Sequence, residues 1–219
     1  MLPWNCGSEM HRTRSALLLR LASVLACSVA LFSTGCSIRH TVAFDSVDTS
    51  WHYRVTEQRV DAAIAVVIDR ETTERAYPIR SFMAGRAHEW NAQPGLMLKQ
   101  VADIELPQLF ADYACVTEYN EPKQRPRRIT LVLTITSFTF ADFHTTVTVQ
   151  ANAFGPQRVA LFEKKYTGEG MTQGAKMFWA GAFGMKSAIR QSTLDAYKNI
   201  FEQLRSDLRI ALNDPMSLA

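Results

Sequence analysis

Alternation between apolar and polar side chains is strongest in the second half of the chain. It covers residues 129–136, 145–153 and 158–166, and turn residues around Asp142 and Gly155 separate the three segments. Because a β-strand places successive side chains on opposite faces of its sheet, each segment predicts a strand with one apolar and one polar face. The short turns predict that these strands form an antiparallel meander.

The first half of the chain carries weaker strand signals. Residues 62–69 form a continuous apolar run rich in β-branched side chains, which predicts a buried strand. Residues 51–60 predict a further strand, and residues 76–83 predict one that Pro78 confines to a sheet edge. Residues 91–95 have the composition of a turn.

Two segments show helical spacing of apolar residues. Residues 96–106 predict a helix through the positions Met97, Val101 and Ile104. Pro107 is expected to kink or restart this helix. Its apolar face then continues at Leu109, Phe110 and Tyr113. Residues 187–212 predict a long amphipathic helix with the apolar stripe Leu194, Tyr197, Phe201, Leu204 and Leu208.

The order of these elements predicts the fold class. Strands come first, followed by a helix, a three-stranded meander and a final helix. Helices that collect on one face of a mainly antiparallel sheet form an α+β two-layer sandwich. We therefore predict a single α+β domain over residues 51–219, in which a mainly antiparallel sheet carries two helices packed on one face.

The segment before this domain has the pattern of a secretory signal peptide over residues 1–35. Three arginines, Arg12, Arg14 and Arg20, precede residues 21–32, which are twelve uncharged and mostly apolar residues, and small residues follow them. Residues 1–9 fit this pattern poorly, whereas a start at Met10 fits it well.

The end of the leader carries a cysteine after three small residues. Thr34, Gly35 and Cys36 resemble the lipobox of bacterial lipoproteins, although Ser33 stands where that family usually has leucine. The resemblance implies that the signal is cut before Cys36 and that three acyl chains, palmitate among them, attach to this cysteine. It also implies that Ser37 favours the outer membrane, with the domain in the periplasm.

Three alternatives to acylation at Cys36 remain. Residues 15–35 number twenty-one, about the length of a membrane span, although Arg20 lies inside this window. Cys27 is a rival lipobox cysteine behind a shorter apolar segment. The third alternative is a soluble secreted form. If Cys36 is acylated, the short and polar residues 36–50 are expected to form a tether between the lipid and the domain.

Charge and cysteine content narrow the class of protein. The chain has a net charge of +3, but the leader accounts for +2 of it, which leaves +1 on residues 36–219. A body so close to neutrality lacks the basic surface on which nucleic-acid binding depends. Removal of the leader leaves two cysteines, Cys36 and Cys115. Cys115 has apolar neighbours and is expected to be a buried, unreactive thiol.

The sequence carries no recognisable catalytic or metal-binding motif. None of the histidines has a partner at metal-ligand spacing, and neither a nucleophile elbow nor a phosphate-binding glycine loop is present. We therefore expect no enzymatic activity, no metal and no cofactor. A triad assembled from distant positions around His88 or His144 would instead make the protein a secreted hydrolase.

Two segments are candidate contact sites. A proline-flanked loop carries four cations for an anionic partner, namely Lys123, Arg125, Arg127 and Arg128. Its alternative interpretation is a solvated hairpin loop. The glycine-rich segment 166–185 ends in the uncharged residues 177–185, which are predicted as an apolar loop with candidate membrane or partner contacts at Met177, Phe178, Trp179 and Phe183. Alternatively, this loop covers the end of the protein's own core.

A further pattern occupies the C-terminal part of the chain. A strand ending in tyrosine meets a glycine-bearing segment and then a helix, with key positions at Tyr166, Gly168, Gly170, Ala196, Leu204 and Asp207. This arrangement resembles the YajG family of small Gram-negative outer-membrane lipoproteins. The resemblance implies a compact α+β lipoprotein without known catalytic residues.

These observations predict a lipid-anchored cell-envelope protein of the outer membrane. It is expected to act without catalysis, as a binding or assembly module for a protein partner or an envelope polymer. An alternative, suggested by the apolar residues 177–185, is a structural subunit of a homo-oligomeric export or secretion complex.

Overall fold

The computed structural model describes residues 38–42, 44, 59–79, 88–117 and 128–213. Within the last range, only the backbone is described for residues 175–183. The chain divides into two compact units, Met1–Ile38 and Arg39–Ala219, and all described residues except Ile38 belong to the second. The predicted signal peptide, Cys36 and most of the strand predicted over residues 51–60 lie outside the described residues.

The described residues form two sheets and three α-helices. The larger sheet has the order β5-β2-β6-β7-β8, made of Phe110–Val116 (β5), Val60–Val67 (β2), Arg128–Ala141 (β6), His144–Phe154 (β7) and Ala160–Glu169 (β8). The smaller sheet has the order β1-β4-β3, made of Ile38–Val42 (β1), His88–Ala92 (β4) and Tyr77–Ile79 (β3). The helices are Arg70–Glu74 (α1), Pro94–Leu109 (α2) and Gly174–Asn213 (α3). A 3-10 turn, Pro156–Arg158, joins β7 to β8.

Strand β2 lies inside the larger sheet and is parallel to both of its neighbours, β5 and β6. It contains most of the apolar run predicted as a buried strand, and Ile64 and Val66 are buried in the core. A strand that is covered on both faces has a continuous apolar sequence, so this prediction is confirmed. The pairs β6–β7, β7–β8 and β3–β4 are antiparallel, so the larger sheet is mixed, with two parallel and two antiparallel strand pairs.

The predicted meander is confirmed as β6, β7 and β8. Ile135 and Phe138 stand three positions apart, an odd spacing that would place them on opposite faces of a regular strand. Both nevertheless face the core, because a β-bulge between Ile135 and Ser137 shifts the alternation by one residue. Asp142 and Phe143 form the turn between β6 and β7, with φ angles of 47° and 63°. Two consecutive positive φ angles give the two-residue hairpin turn that matches the twist of the strands.

Helices α2 and α3 cover the same face of the larger sheet and complete the two-layer α+β sandwich. The predicted stripe of α3 is confirmed, since all five of its residues are buried: Leu194, Tyr197, Phe201, Leu204 and Leu208. The Tyr197 hydroxyl also donates a hydrogen bond of 3.0 Å to the backbone oxygen of Pro94 and so joins the two helices. Burial raises the pKa of Tyr197 well above its usual value, so this hydroxyl stays protonated.

Helix α2 passes through Pro107 without restarting, and the predicted restart is therefore wrong. Proline removes one backbone donor, but only two residues of the helix follow it, so the loss falls in the last turn. The predicted continuation of the apolar helix face at Leu109, Phe110 and Tyr113 is also wrong, because β5 begins at Phe110. Pairing with the buried strand β2 outweighs the helical spacing of these residues.

The turn predicted over residues 91–95 is wrong. Asn91 and Ala92 belong to β4, and Pro94 opens α2 in its first turn. Proline suits that position because the missing N–H would have no acceptor inside the helix. The adjacent Gly95 permits close packing, since a Cβ atom there would overlap the backbone of Thr72 in α1.

The predicted tether over residues 36–50 is wrong for residues 38–44. Residues 38–42 form β1, and Val42 and Phe44 are fully buried in the main core. The two apolar side chains stand two residues apart, so both reach the same side of an extended chain. Polar residues around them obscured this short strand in the sequence.

Helix α3 begins at Gly174, thirteen residues before the predicted start. The apolar loop predicted over residues 177–185 is therefore wrong, because these residues lie inside the helix. A glycine costs a helix about 1 kcal/mol relative to alanine, but here glycines lie among good helix formers. Among the described residues, no helix is both long and apolar enough to cross a membrane.

Candidate functional site

The start of the folded body is built by side chains that face each other across β1 and β4. We call the exposed pair Arg39 and Glu89 the β1–β4 face. Arg39 Nε lies 3.4 Å from Glu89 Oε2, and the two side chains are 82% and 56% exposed. An ion pair this exposed contributes at most about 1 kcal/mol to stability. The positive charge of Arg39 and the negative charge of Glu89 cancel, so the pair gives this face no net charge.

The opposite side of this strand pair carries an aromatic stack, because successive residues of a strand point to opposite faces of its sheet. The His40 and Trp90 rings lie 4.3 Å apart at an interplanar angle of 19°. Trp90 is 4% exposed and belongs to the main core, while His40 is half-buried above it. The buried indole Nε1 of Trp90 has no hydrogen-bond partner, which costs about 1–3 kcal/mol. Packing of the Trp90 ring against the core therefore has to outweigh the free-energy cost of this unpaired N–H.

A second group of residues joins β8 to α3; we call it the β8–α3 seam. Tyr166, Gly168 and Gly170 alternate along the chain, so they point towards the same side, the one that α3 covers. A Cβ atom at Gly168 would overlap the backbone oxygen of Ala196, and one at Gly170 would overlap that of Ser192. Strand and helix thus approach to backbone contact, which only glycine permits.

A polar cluster closes the other end of the seam. Asp207 Oδ2 accepts hydrogen bonds from the Tyr166 hydroxyl at 2.6 Å and from Lys164 Nζ at 2.7 Å. Burial alone would raise the pKa of Asp207, but both hydrogen bonds and the Lys164 charge outweigh it, and the pKa is lowered. Burial, followed by the hydrogen bond to Asp207, raises the pKa of Tyr166. At neutral pH the carboxylate is ionised and the phenol protonated, so the cluster anchors the helix.

Asp207→Asn is expected to lower the free energy of unfolding at pH 7 by about 1–3 kcal/mol, since hydrogen bonds to a charged group are of this size. Because the folded-state pKa of Asp207 is lowered, its contribution is present above the unfolded pKa of about 4 and is lost as pH falls through the folded value. Urea unfolding between pH 7 and pH 3 should show the difference from wild type shrinking.

The matched control for this prediction is Lys164→Met. It removes the exposed partner, which is 52% exposed, but keeps the Tyr166 hydrogen bond, so it should cost less than about 1 kcal/mol. An Asp207→Asn effect that is no larger than the control, or that does not change with pH, would contradict this account of the cluster.

Buried hydroxyl groups join the start of β7 to α3. The Thr145 backbone N–H donates to Ser192 Oγ at 2.8 Å, and the Thr145 and Thr193 hydroxyls lie 3.2 Å apart. All three side chains are fully buried. The Gly170 backbone N–H donates a hydrogen bond of 2.8 Å to the backbone oxygen of Thr145. Because Gly170 belongs to the β8–α3 seam, the cluster of hydroxyl groups is continuous with it. Its hydrogen bonds satisfy polar groups that would otherwise be costly to bury.

A buried ion pair connects the two long helices. Arg205 Nη1 lies 2.7 Å from Glu105 Oε2, and Glu105 is almost completely buried. Desolvation offsets much of the attraction in a buried ion pair, but removing one partner leaves an uncompensated buried charge. The pair therefore links α2 to α3 and makes each of its partners costly to remove.

Cys115 is half-buried in β5, so the prediction of a buried thiol is only partly met. Burial, followed by the negative charge of Asp103, raises the pKa of the Cys115 thiol. The neighbouring Tyr113 hydroxyl donates a 2.6 Å hydrogen bond to Asp103. Because the thiolate is the reactive form of cysteine, the raised pKa disfavours that form; low reactivity of this thiol stays a prediction.

The predicted anion-binding cluster lies mostly outside the described residues, which include Arg128 but not Lys123, Arg125 or Arg127. Arg128 is the first residue of β6 and is half-buried, and its Nε atom is buried without a hydrogen-bond partner. Its assignment to a solvated loop is therefore wrong, because pairing of β6 with β2 begins at this residue.

The predicted apolar contact residues Met177, Phe178, Trp179 and Phe183 lie in the helical backbone of α3. Their side chains are outside the described part of the chain, so the predicted contacts stay predictions. The two histidines proposed for a hydrolase have different surroundings. His144 Nδ1 lies 3.3 Å from the backbone oxygen of Asp142 in the hairpin turn, and the His88 side chain is not among those described.

Metal-binding side chains do not gather within the described ranges. No three histidine, cysteine, aspartate or glutamate side chains there come close enough to hold a metal ion.

The sequence held two signals for the buried polar contacts that were not predicted. Ser192 and Thr193 occupy positions of the apolar stripe in α3, between Ile189 and Ala196, and a polar residue on such a stripe requires a buried partner. Glu105 likewise falls on the apolar face of α2. Nothing in the sequence indicates which residues form hydrogen bonds or ion pairs with Ser192, Thr193 and Glu105.

Comparisons with known proteins give structural similarities only. No family model matches the chain, and no curated protein matches it. The hypothetical protein CT253 from Chlamydia trachomatis aligns with 70% of this chain and 99% of its own, at 6% identity and a TM-score of 0.43. Protein XCC0632 from Xanthomonas campestris, of the family model DUF330, aligns with 78% of this chain and 99% of its own, at 14% identity and a TM-score of 0.38. Similarity at this level carries no argument about family or function.

Proposed function

We propose that this protein is a lipid-anchored component of the outer membrane that acts as a non-enzymatic binding or assembly module. The observation that carries the proposal is the leader, in which basic residues, the uncharged run 21–32 and three small residues precede Cys36. This is the order of features that a cleaved export signal requires. Several acyl chains on one cysteine would then give stable attachment, because each buried methylene contributes about 0.8 kcal/mol.

The domain combines a firmly packed helix α3 with exposed apolar side chains that could contact a partner. The β8–α3 seam and the Glu105–Arg205 ion pair tie α3 to the sheet and to α2. Large apolar side chains nevertheless stay exposed, among them Met171 just before α3 and Ile210 near its end. Exposed apolar side chains on a firmly held element are suitable contacts for a protein partner or an envelope polymer.

Photo-crosslinking in intact cells tests this proposal. A crosslinking amino acid at Met171 or Ile210 should give a defined adduct with a second envelope component, whereas one at the exposed polar residue Gln203 should give less of it. An adduct with the mass of two copies of this chain would favour the alternative, a subunit of a homo-oligomeric export complex. A protein that forms no adduct and whose deletion leaves the envelope unaffected would contradict the binding function.

A further inference from the structure

Strand β1 begins two residues after Cys36, the proposed lipid attachment site. Only Ser37 separates Cys36 from Ile38, the first residue of β1. Consecutive Cα atoms are about 3.8 Å apart, so Cys36 lies within about 8 Å of the strand. The tether predicted over residues 36–50 would instead have allowed roughly 50 Å of reach in an extended chain.

Strand β1 is also fixed firmly to the body. Val42 and Phe44, which follow its start by a few residues, are fully buried in the main core. Arg39 and His40 contact Glu89 and Trp90 on β4. A lipid attached at Cys36 would therefore pull on a strand that cannot swing away from the domain.

We infer that the β1–β4 face lies directly against the phospholipid headgroups of the membrane that holds the acyl chains. This inference rests on the proposed function, because it requires a lipid on Cys36. The body then works at the bilayer surface, and the partners it can reach lie in that membrane or close to it.

Charge does not produce this contact. Arg39 is paired with Glu89, so the face offers no net positive surface to anionic lipid. The short covalent connection alone brings the face to the bilayer, and its position should not change with ionic strength. A contact made by surface charges would weaken as salt is added, because the Debye length falls to about 3 Å at 1 M.

The test compares two positions in the acylated protein reconstituted into phosphatidylcholine vesicles that contain a headgroup-labelled nitroxide lipid. A fluorescent amino acid replaces either Glu89, on the proposed contact face, or Lys165, an exposed residue on the edge strand β8. We expect stronger quenching at position 89 than at position 165, unchanged by salt. Position 89 is informative because it is far from Cys36 in sequence but next to Arg39 in space.

The matched control inserts a flexible Gly/Ser linker between Ser37 and Ile38. It keeps the lipid and the fold, and it should abolish the excess quenching at position 89. Equal quenching at positions 89 and 165, or an excess that survives the insertion, would overturn the inference. If mass analysis finds no lipid on Cys36, the proposed function itself fails. The same comparison then tests the geometry separately, on a chain of residues 36–219 that carries Cys115→Ser and is coupled through Cys36 to a maleimide phospholipid.

Discussion

Gly170→Ala is expected to lower the free energy of unfolding by about 3 kcal/mol or more, and Gly168→Ala should have a similar effect. Overpacking usually costs about 1–3 kcal/mol because flexible side chains can move aside. Here the added methyl group would meet the backbone oxygens of Ser192 and Ala196, and a helix backbone cannot move without disturbing its own hydrogen bonds. For a domain of this size, each 1 kcal/mol corresponds to roughly 2–4 °C in Tm.

Thermal and urea unfolding of the purified domain measure this effect, and Gly174→Ala provides the control. The nearest atom to a Cβ at position 174 is Phe143 Cδ2 at 3.7 Å, an ordinary van der Waals contact. Alanine is also a better helix former than glycine, so this variant should be neutral or slightly stabilised. If Gly170→Ala and Gly168→Ala were as stable as Gly174→Ala, the close approach of β8 and α3 would be wrong.

Cys36→Ala is expected to abolish processing and stable lipid attachment. The acyl chains need the Cys36 thiol, so the variant carries no lipid at this position, and any membrane attachment that remains comes from its uncleaved leader. The precursor should accumulate with its leader intact, and no chain beginning at residue 36 should form. Gel mobility and acyl labelling in cells measure these losses.

Two further cysteine variants serve as controls for this prediction. Cys27→Ala tests the rival lipobox and should leave processing and acyl labelling unchanged. Cys115→Ser removes a half-buried thiol whose raised pKa disfavours the reactive thiolate, so it should leave the localisation unchanged. A Cys36→Ala protein that is cleaved and acylated as before would refute the anchoring hypothesis.

Elements whose sequence pattern lies within one short segment were predicted correctly, whereas elements that depend on contacts with distant residues were not. Strands β6 to β8 were predictable because alternation and turn residues are properties of short segments, and even the phase change between Ile135 and Phe138 is visible in the sequence. Strand β5 was not predictable, because Leu109, Phe110 and Tyr113 have helical spacing and only pairing with the distant β2 makes them extended. The early start of α3 was obscured by its glycines, which usually mark loops.

The candidate sites were less predictable than the fold. Tyr166, Gly168, Gly170 and Asp207 were identified through a family resemblance, and the structure places all four in the β8–α3 seam. The partners of the two glycines could be identified only in the structure, because nothing in the sequence indicates that Ser192 and Ala196 contact a glycine. The β1–β4 face was not predicted, because residues 38–44 were interpreted as a polar tether.

The most direct test of the central claim is mass spectrometry of the N-terminal peptide from membrane-extracted protein. The account predicts a mature chain that begins at Cys36 and carries three acyl chains on that residue. A mature chain that begins elsewhere, or an unmodified Cys36, would contradict it.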